Sequence, residues 1–205
     1  MRLGKMLLAL ALAGGLLLTQ GVGAAASEPA GFSDVDEADW YAGAVAYVRE
    51  NGLMSGVSDT AFAPGAAMTR GMLATALYRM AGSPPVIEPP SFLDASLHGW
   101  YSEGIAWSAQ NYIMGGYGGD RFGPDDPLTR EQLATALWRY AGSPEAGAEG
   151  DFADEADLSP WAGRAADWAA ARGLVGLRDG NRFDPGGIVS RGEAAAALAA
   201  GADVL

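Results

Sequence analysis

One pattern is written three times along this chain. A Phe-x-Asp element occurs at Phe32 and Asp34, at Phe92 and Asp94, and at Phe152 and Asp154, with sixty residues between successive copies. Trp40, Trp100 and Trp161 follow. Behind each copy lies a second element: Thr69-Arg70, Thr129-Arg130 and Ser190-Arg191. A fixed period of this length means similar supersecondary units stacked to share a core. The chain has 205 residues, and a unit of about 55–60 residues sits near the lower limit for an independent core. Three units therefore have to pack against one another.

Each unit reads as helix, loop, helix. Trp40, Ala44, Tyr47 and Val48 follow a helical stripe, and so do Trp100, Gly104, Trp107 and Ser108, and Trp161, Ala165, Trp168 and Ala169. The spacing predicts an opening helix of roughly three turns, stopped at Gly52, at Asn111-Tyr112 and at Gly173. An irregular segment follows, from Leu53-Met54-Ser55-Gly56 to Phe62-Ala63-Pro64 in the first copy. Thr129-x-x-Gln132 and Ser190-x-x-Glu193 are capping boxes that open the second helix. Thr69 can cap too, but Met72 cannot reciprocate. Leu73, Leu77 and Met80 supply the buried stripe, as do Leu133, Leu137 and Tyr140, and more thinly Ala194, Ala197 and Leu198. The expected fold is all-α, three helix-loop-helix repeats packed as one unit. The expected divisions are residues 31–84, 91–144 and 151–205, joined by a stiff proline-rich linker at 85–90 and a flexible one at 145–150.

Residues 1–26 read as a secretory signal peptide. Arg2 and Lys5 precede an apolar run, and Ala24-Ala25-Ala26 offers a cleavage site before Ser27. The run is shorter than the ~20 residues a membrane span needs. A secreted protein with no membrane contact after cleavage is expected. The chain has no cysteine, which excludes a disulfide framework. Its 13 basic and 25 acidic residues give a net charge of −12. Removing Arg2 and Lys5 lowers this to about −14 and leaves arginine as the only cation type. Such a chain is a poor partner for nucleic acid or an anionic membrane.

Catalysis and metal binding find little support. The one histidine, His98, has no counterpart in the other repeats, and there is no cysteine nucleophile. Asp120, Asp125 and Asp126, and Asp179 with Asp184, lack the calcium-loop pattern. No enzyme activity, metal or cofactor is expected.

Phe32-Ser33-Asp34-Val35, Trp40, Gly52-Leu53-Met54-Ser55-Gly56, Phe62-Ala63-Pro64 and Thr69-Arg70 together resemble the S-layer homology repeat of bacterial surface proteins. The resemblance covers residues 31 to about 201 in three tandem copies. It implies a pseudo-threefold helical unit whose inter-repeat grooves bind a cell-wall polysaccharide, often one ending in pyruvylated N-acetylmannosamine. It thus implies non-covalent anchoring at the bacterial cell wall. Peptidoglycan binding is one alternative. A structural surface-array role is another, with a separate passenger or S-layer protein as partner.

Residue chemistry points the same way. Arg70, Arg130 and Arg191 carry the planar fork that suits a pyruvyl carboxylate. They stand at helix N-termini, where free N–H groups favour an anion. Trp40, Trp100 and Trp161 offer flat faces to a sugar ring. Asp34, Asp94 and Asp154 can accept from sugar hydroxyls, and Gly56 and Gly116 allow close backbone approach. Each has a structural alternative: core tryptophans, loop-bracing aspartates, Arg–Asp bridges and turn glycines. Repeat three has Leu177 in place of the glycine, Ser190 for Thr, and Ala166 where the others have Val45 and Ile105. It is expected to bind least well, and repeat two, with Thr129-Arg130-Glu131-Gln132, to be the most complete.

Overall fold

The computed structural model describes residues 31–88, 91–147, 150–202 and 204. The expected signal peptide and parts of both linkers lie outside them. Six helices occur in order: α1 (Ala42–Glu50), α2 (Arg70–Met80), α3 (Ser102–Gln110), α4 (Arg130–Tyr140), α5 (Gly163–Ala171) and α6 (Arg191–Ala200). A single 3-10 turn, Glu155–Asp157, precedes α5. Among the described residues there is no strand, so the fold is all-α, with one helix pair per repeat.

The opening helices are shorter than the stripe suggested. Each has nine residues and starts two positions after its tryptophan. A turn precedes it, closed by Ala42 N–H to Asp39 O and by Ser102 N–H to Gly99 O. The tryptophans sit in that turn and stand away from the core. Trp40, Trp100 and Trp161 are 69%, 59% and 49% exposed, which answers whether they are core. The inward stripe instead starts at Tyr41 and Tyr101, whose rings meet their tryptophan neighbours edge-on at 5.3 and 5.1 Å.

Side-chain caps start the second helix of each repeat, and backbone returns end the first. Thr129 and Ser190 make reciprocal capping boxes with Gln132 and Glu193, whereas Thr69 only accepts from Met72 N–H. The opening helices all stop in the same way. Gly52, Tyr112 and Gly173 take φ of 67°, 58° and 67°, and the next residue's N–H returns to Val48, Ser108 or Ala169 O.

Helix pairing crosses the repeats and closes on itself: α2 packs on α3, α4 on α5, and α6 on α1. The axis of this ring is made of backbone. Met68 N–H donates to Val189 O at 2.8 Å, Val189 N–H to Leu128 O at 2.9 Å, and Leu128 N–H to Met68 O at 2.8 Å. All three side chains are buried, and Phe62, Phe122 and Phe183 are fully so. Three equivalent bonds returning to their start give the pseudo-threefold arrangement its physical content.

The three helix junctions are filled in two ways. A Cβ on Gly71 would stand 3.4 Å from Tyr101 Cβ, and one on Gly192 would stand 3.2 Å from Tyr41 Cδ1. At the third junction the bulk is reversed. Ala162, fully buried, replaces the tyrosine, and Glu131 replaces the glycine. Glu131 uses the space to accept from Ser159 N–H and Oγ, both at 3.0 Å. Ala162→Tyr alone should therefore destabilise by about 1–3 kcal/mol through overpacking. Adding Glu131→Gly should recover most of that loss. Urea unfolding of the double-mutant cycle measures the coupling.

Candidate functional site

Arg70, Arg130 and Arg191 open α2, α4 and α6, yet only 3–5% of each is exposed. Each guanidinium reaches into the next repeat around the ring. Arg70 donates through Nε to Phe122 O (3.0 Å) and through Nη2 to Gly115 O (2.6 Å). Arg130 does the same to Phe183 O (2.7 Å) and Gly176 O. Arg191 closes the ring on Phe62 O (2.8 Å) and Ser55 O (2.7 Å). Burial pushes all three guanidinium pKa values down from their ordinary value. Much of the fork proposed for a ligand is thus committed to backbone.

The expected anion site at the helix N-termini is likewise filled. Arg70 and Gly71 N–H donate to Asp126 and Pro124 O, Arg130 and Glu131 N–H to Gly187 and Pro185 O, and Arg191 and Gly192 N–H to Ala66 and Pro64 O. The cap side chain takes the next N–H in each helix. Few of the first-turn donors are left for an anion.

The aspartates hold the other side of the same peptides. Asp34 accepts from Phe62 and Ala63 N–H at 2.8 and 2.7 Å. Asp94 accepts from Phe122 and Gly123 N–H, and Asp154 from Phe183 and Asp184 N–H, all at 2.8 Å. For Asp34, the Phe62 N–H chiefly lowers the carboxyl pKa against an opposing effect of burial. For Asp94 and Asp154, burial pushes upward most strongly among single influences. The paired backbone N–H groups and a nearby arginine outweigh it, so the net direction is again down. Arg70, Arg130 and Arg191 therefore meet these aspartates indirectly, through a shared peptide, whereas Arg121 and Arg182 lie 3.8 and 3.5 Å from Asp94 and Asp154.

Three grooves surround the axis. Groove 1, about 370 Å³, is lined by Ser55 and Gly56 of the first loop, by Thr75 and Arg79 of α2, by Trp100 and by Arg191. Groove 2, about 250 Å³, has Gly115 and Gly116, Thr135 and Arg139 of α4, Trp161 and Arg70. Groove 3, about 320 Å³, has Gly176 and Leu177, Ala196 and Ala200 of α6, Trp40 and Arg130. Each groove thus takes its loop and second helix from one repeat, its tryptophan from the next and its buried arginine from the one before. The structure brings the expected Arg, Trp and Gly positions together and leaves Asp34, Asp94 and Asp154 outside the lining.

Gly56 and Gly116 are there for their own repeat as well. A Cβ on Gly56 would stand 2.6 Å from the Phe32 ring, and one on Gly116 would stand 2.7 Å from the Phe92 ring.

The grooves differ in charge. Arg79 and Arg139 are exposed residues in grooves 1 and 2, with no acidic side chain in either lining. Arg79 makes one hydrogen bond, at 3.3 Å to Leu53 O. In groove 3 the matching position is Ala200, and Glu193 enters the lining. Glu193 pairs with Arg178 at 2.6 Å and lies 3.8 Å from Arg130. Groove 3 neutralises its own cations. Sequence reasoning did not select Arg79 and Arg139. Their signal is the shared Leu-Ala-Thr-Ala-Leu-x-Arg of repeats one and two, which the third repeat lacks.

Among the described residues no cluster of metal-ligating side chains occurs. No described helix is long and apolar enough to cross a membrane.

The sequence model of the S-layer homology domain matches residues 31–71, 91–134 and 151–195. The chain is 25% identical over 190 residues to the exoglucanase XynX of Acetivibrio thermocellus, covering 90% of this chain and 17% of that protein. It is 26% identical over 172 residues to an amylopullulanase of Thermoanaerobacterium thermosulfurigenes, covering 82% and 9%. It is 33% identical over 88 residues to the surface-layer 125 kDa protein of Lysinibacillus sphaericus, covering 42% and 7%. The chain spans less than a fifth of the length of each.

Two measurements test the clamp. Arg191→Ala should cost about 2–4 kcal/mol in urea unfolding, because it orphans two carbonyl acceptors and unlocks the ring. Arg191→Lys should restore little, since an ammonium lacks the planar fork. The depressed aspartate pKa values give stability that is complete above the unfolded carboxyl value, about 3.9. It is lost as pH falls through the lower folded values. Melting temperature should hold through the neutral range and drop in this acid window, and Asp94→Asn should flatten the drop.

Proposed function

The chain belongs to the S-layer homology family, and from that premise we propose that it is a non-covalent cell-wall anchoring module. Its ligand is an anionic secondary polysaccharide of the bacterial wall, with a pyruvylated terminal sugar the best match to the grooves. The carrying observation is the composition of grooves 1 and 2. Each pairs an exposed tryptophan with an exposed arginine, and neither lining includes an acidic side chain. This occurs in a chain of net charge −12.

The chemistry follows from those groups. The face of Trp100 or Trp161 takes the apolar C–H face of a sugar. Arg79 or Arg139 reaches the carboxylate of a pyruvyl ketal through two parallel donors. Thr75 and Thr135 donate their hydroxyl protons to Gly71 and Glu131 O, which leaves oxygen lone pairs as acceptors. The buried arginines hold the loop backbone that lines the grooves. Groove 3 is the weakest site because Glu193 already occupies its cations. The three relatives differ in their named activities yet share this stretch. That supports attachment, rather than chemistry, as what the stretch contributes. Surface attachment also accords with the expected export.

Co-sedimentation with purified sacculi tests this reading. Wild-type protein should bind native sacculi and lose binding when their secondary polysaccharide is stripped. Arg79→Ala/Arg139→Ala should weaken binding by about tenfold or more, the scale of a lost charge-assisted pair, with an unchanged melting temperature. Equal binding to stripped sacculi would mean peptidoglycan is the ligand, and no binding to either would favour protein assembly. The acidic chain repels an anionic polymer at long range. Raising salt to about 0.5 M, beyond physiological screening, should leave binding intact or strengthen it.

A further inference from the structure

Tyr112 is placed at a cost that its own fold does not repay. It follows the last turn of α3 in the left-handed region, at φ 58°. The same position is Gly52 in the first repeat and Gly173 in the third, both at φ 67°. The helix stop imposes this conformation, because Tyr112 N–H returns to Ala109 O and Ile113 N–H to Ser108 O. Glycine takes it freely, and a Cβ-bearing residue does not. The tyrosine gains no burial in exchange, since it is 85% exposed. No ring contact or side-chain hydrogen bond holds it among the described residues. Strain kept without packing gain points to use by something outside the chain.

The surroundings say what that is. Tyr112 lines a cavity of about 410 Å³ with Asn111, Ser143, Met114, Gly115 and Arg139. Met114, Gly115 and Arg139 also line groove 2. The two spaces are thus adjacent and share these three residues, with Trp161 lining one and Tyr112 the other. No hydrogen bond or ion pair to the Arg139 side chain is found among the described residues. Asn111 donates through Nδ2 to Trp107 O, which leaves its side-chain oxygen as an acceptor.

We propose that groove 2 continues into an outer subsite in which Tyr112 stacks a second sugar of the polymer while Arg139 holds the carboxylate between the two rings. Groove 2 then reads an oligosaccharide, not only a terminal sugar. This rests on the polysaccharide reading above and deepens it.

The test compares two probes by calorimetry: the methyl glycoside of pyruvylated N-acetylmannosamine, and pyruvylated wall-polysaccharide fragments of about five sugars. Tyr112→Gly should raise the melting temperature by relieving the strain. It should also weaken fragment binding by about three- to tenfold, the scale of one stacking contact, and leave monosaccharide binding unchanged. Tyr112→Phe should keep wild-type fragment affinity. Equal fragment affinity in wild type and Tyr112→Gly would overturn the outer subsite, and so would an equal loss for both probes. In either case the groove assignment would stand, provided wild type binds the monosaccharide. Failure of wild type to bind either probe would overturn the polysaccharide reading and the subsite with it.

Discussion

The structure depends on one peptide group per repeat, held from both sides. The Phe62, Phe122 and Phe183 carbonyls are taken by the arginine of the repeat before, and the N–H groups of the same peptides, on Ala63, Gly123 and Asp184, by the aspartate of their own repeat. The aspartate sets the loop and the arginine docks the loop onto its neighbour. Burying a guanidinium is costly unless its donors are met. Here two carbonyls meet them directly, and a carboxylate one peptide away supplies the counter-charge. A direct Arg–Asp pair would neutralise charge equally well but would leave the loop unfixed. The relay ties local geometry to assembly in a single element.

Closure multiplies its effect. In an open solenoid each repeat touches only its neighbours, and the end repeats need caps. Here Arg191 brings the third repeat back onto the first, so no repeat is terminal. The backbone ring of Met68, Leu128 and Val189 has the same property, since each N–H is satisfied only by another repeat. Closure by similar parts raises a problem of order, because similar junctions could pair wrongly. The reversed bulk at Glu131 and Ala162, against Gly–Tyr at the other two junctions, distinguishes one junction from its siblings.

The repeat, the helix pairs, the two full capping boxes and the one-sided cap at Thr69 were all legible in the sequence, because each is a short-range rule that the period states three times. The positions of the tryptophans, arginines and loop glycines in the grooves followed from the resemblance. What could not be read was the division of labour among cations. A buried arginine and an exposed one carry the same planar donors, and only the partner tells them apart. For Arg70 the partner is Phe122 O, 52 residues away, and for Arg191 it is Phe62 O, 129 residues away. No local pattern carries that. Arg79 and Arg139 look like ordinary surface residues until the fold turns them into a groove. Trp40, by contrast, matched the helical stripe and misled. The turn before α1 holds it outside the helix, and 3.6-residue periodicity does not detect such a turn.

The same asymmetry shapes what the ring can do. On the polysaccharide reading, two of its three grooves keep an unneutralised arginine, and the third spends its cations on Glu193. Those two grooves sit on neighbouring repeats of one closed body. A polymer chain engaged in one is held near the other at a fixed separation, so the second contact is made without a second loss of translational freedom. Weak individual sites then suffice for firm attachment, and the repulsion between an acidic protein and an acidic polymer becomes tolerable. Groove 3 need not bind to contribute. Its Arg130 still docks the third loop and keeps the ring shut, and the geometry of grooves 1 and 2 depends on that closure.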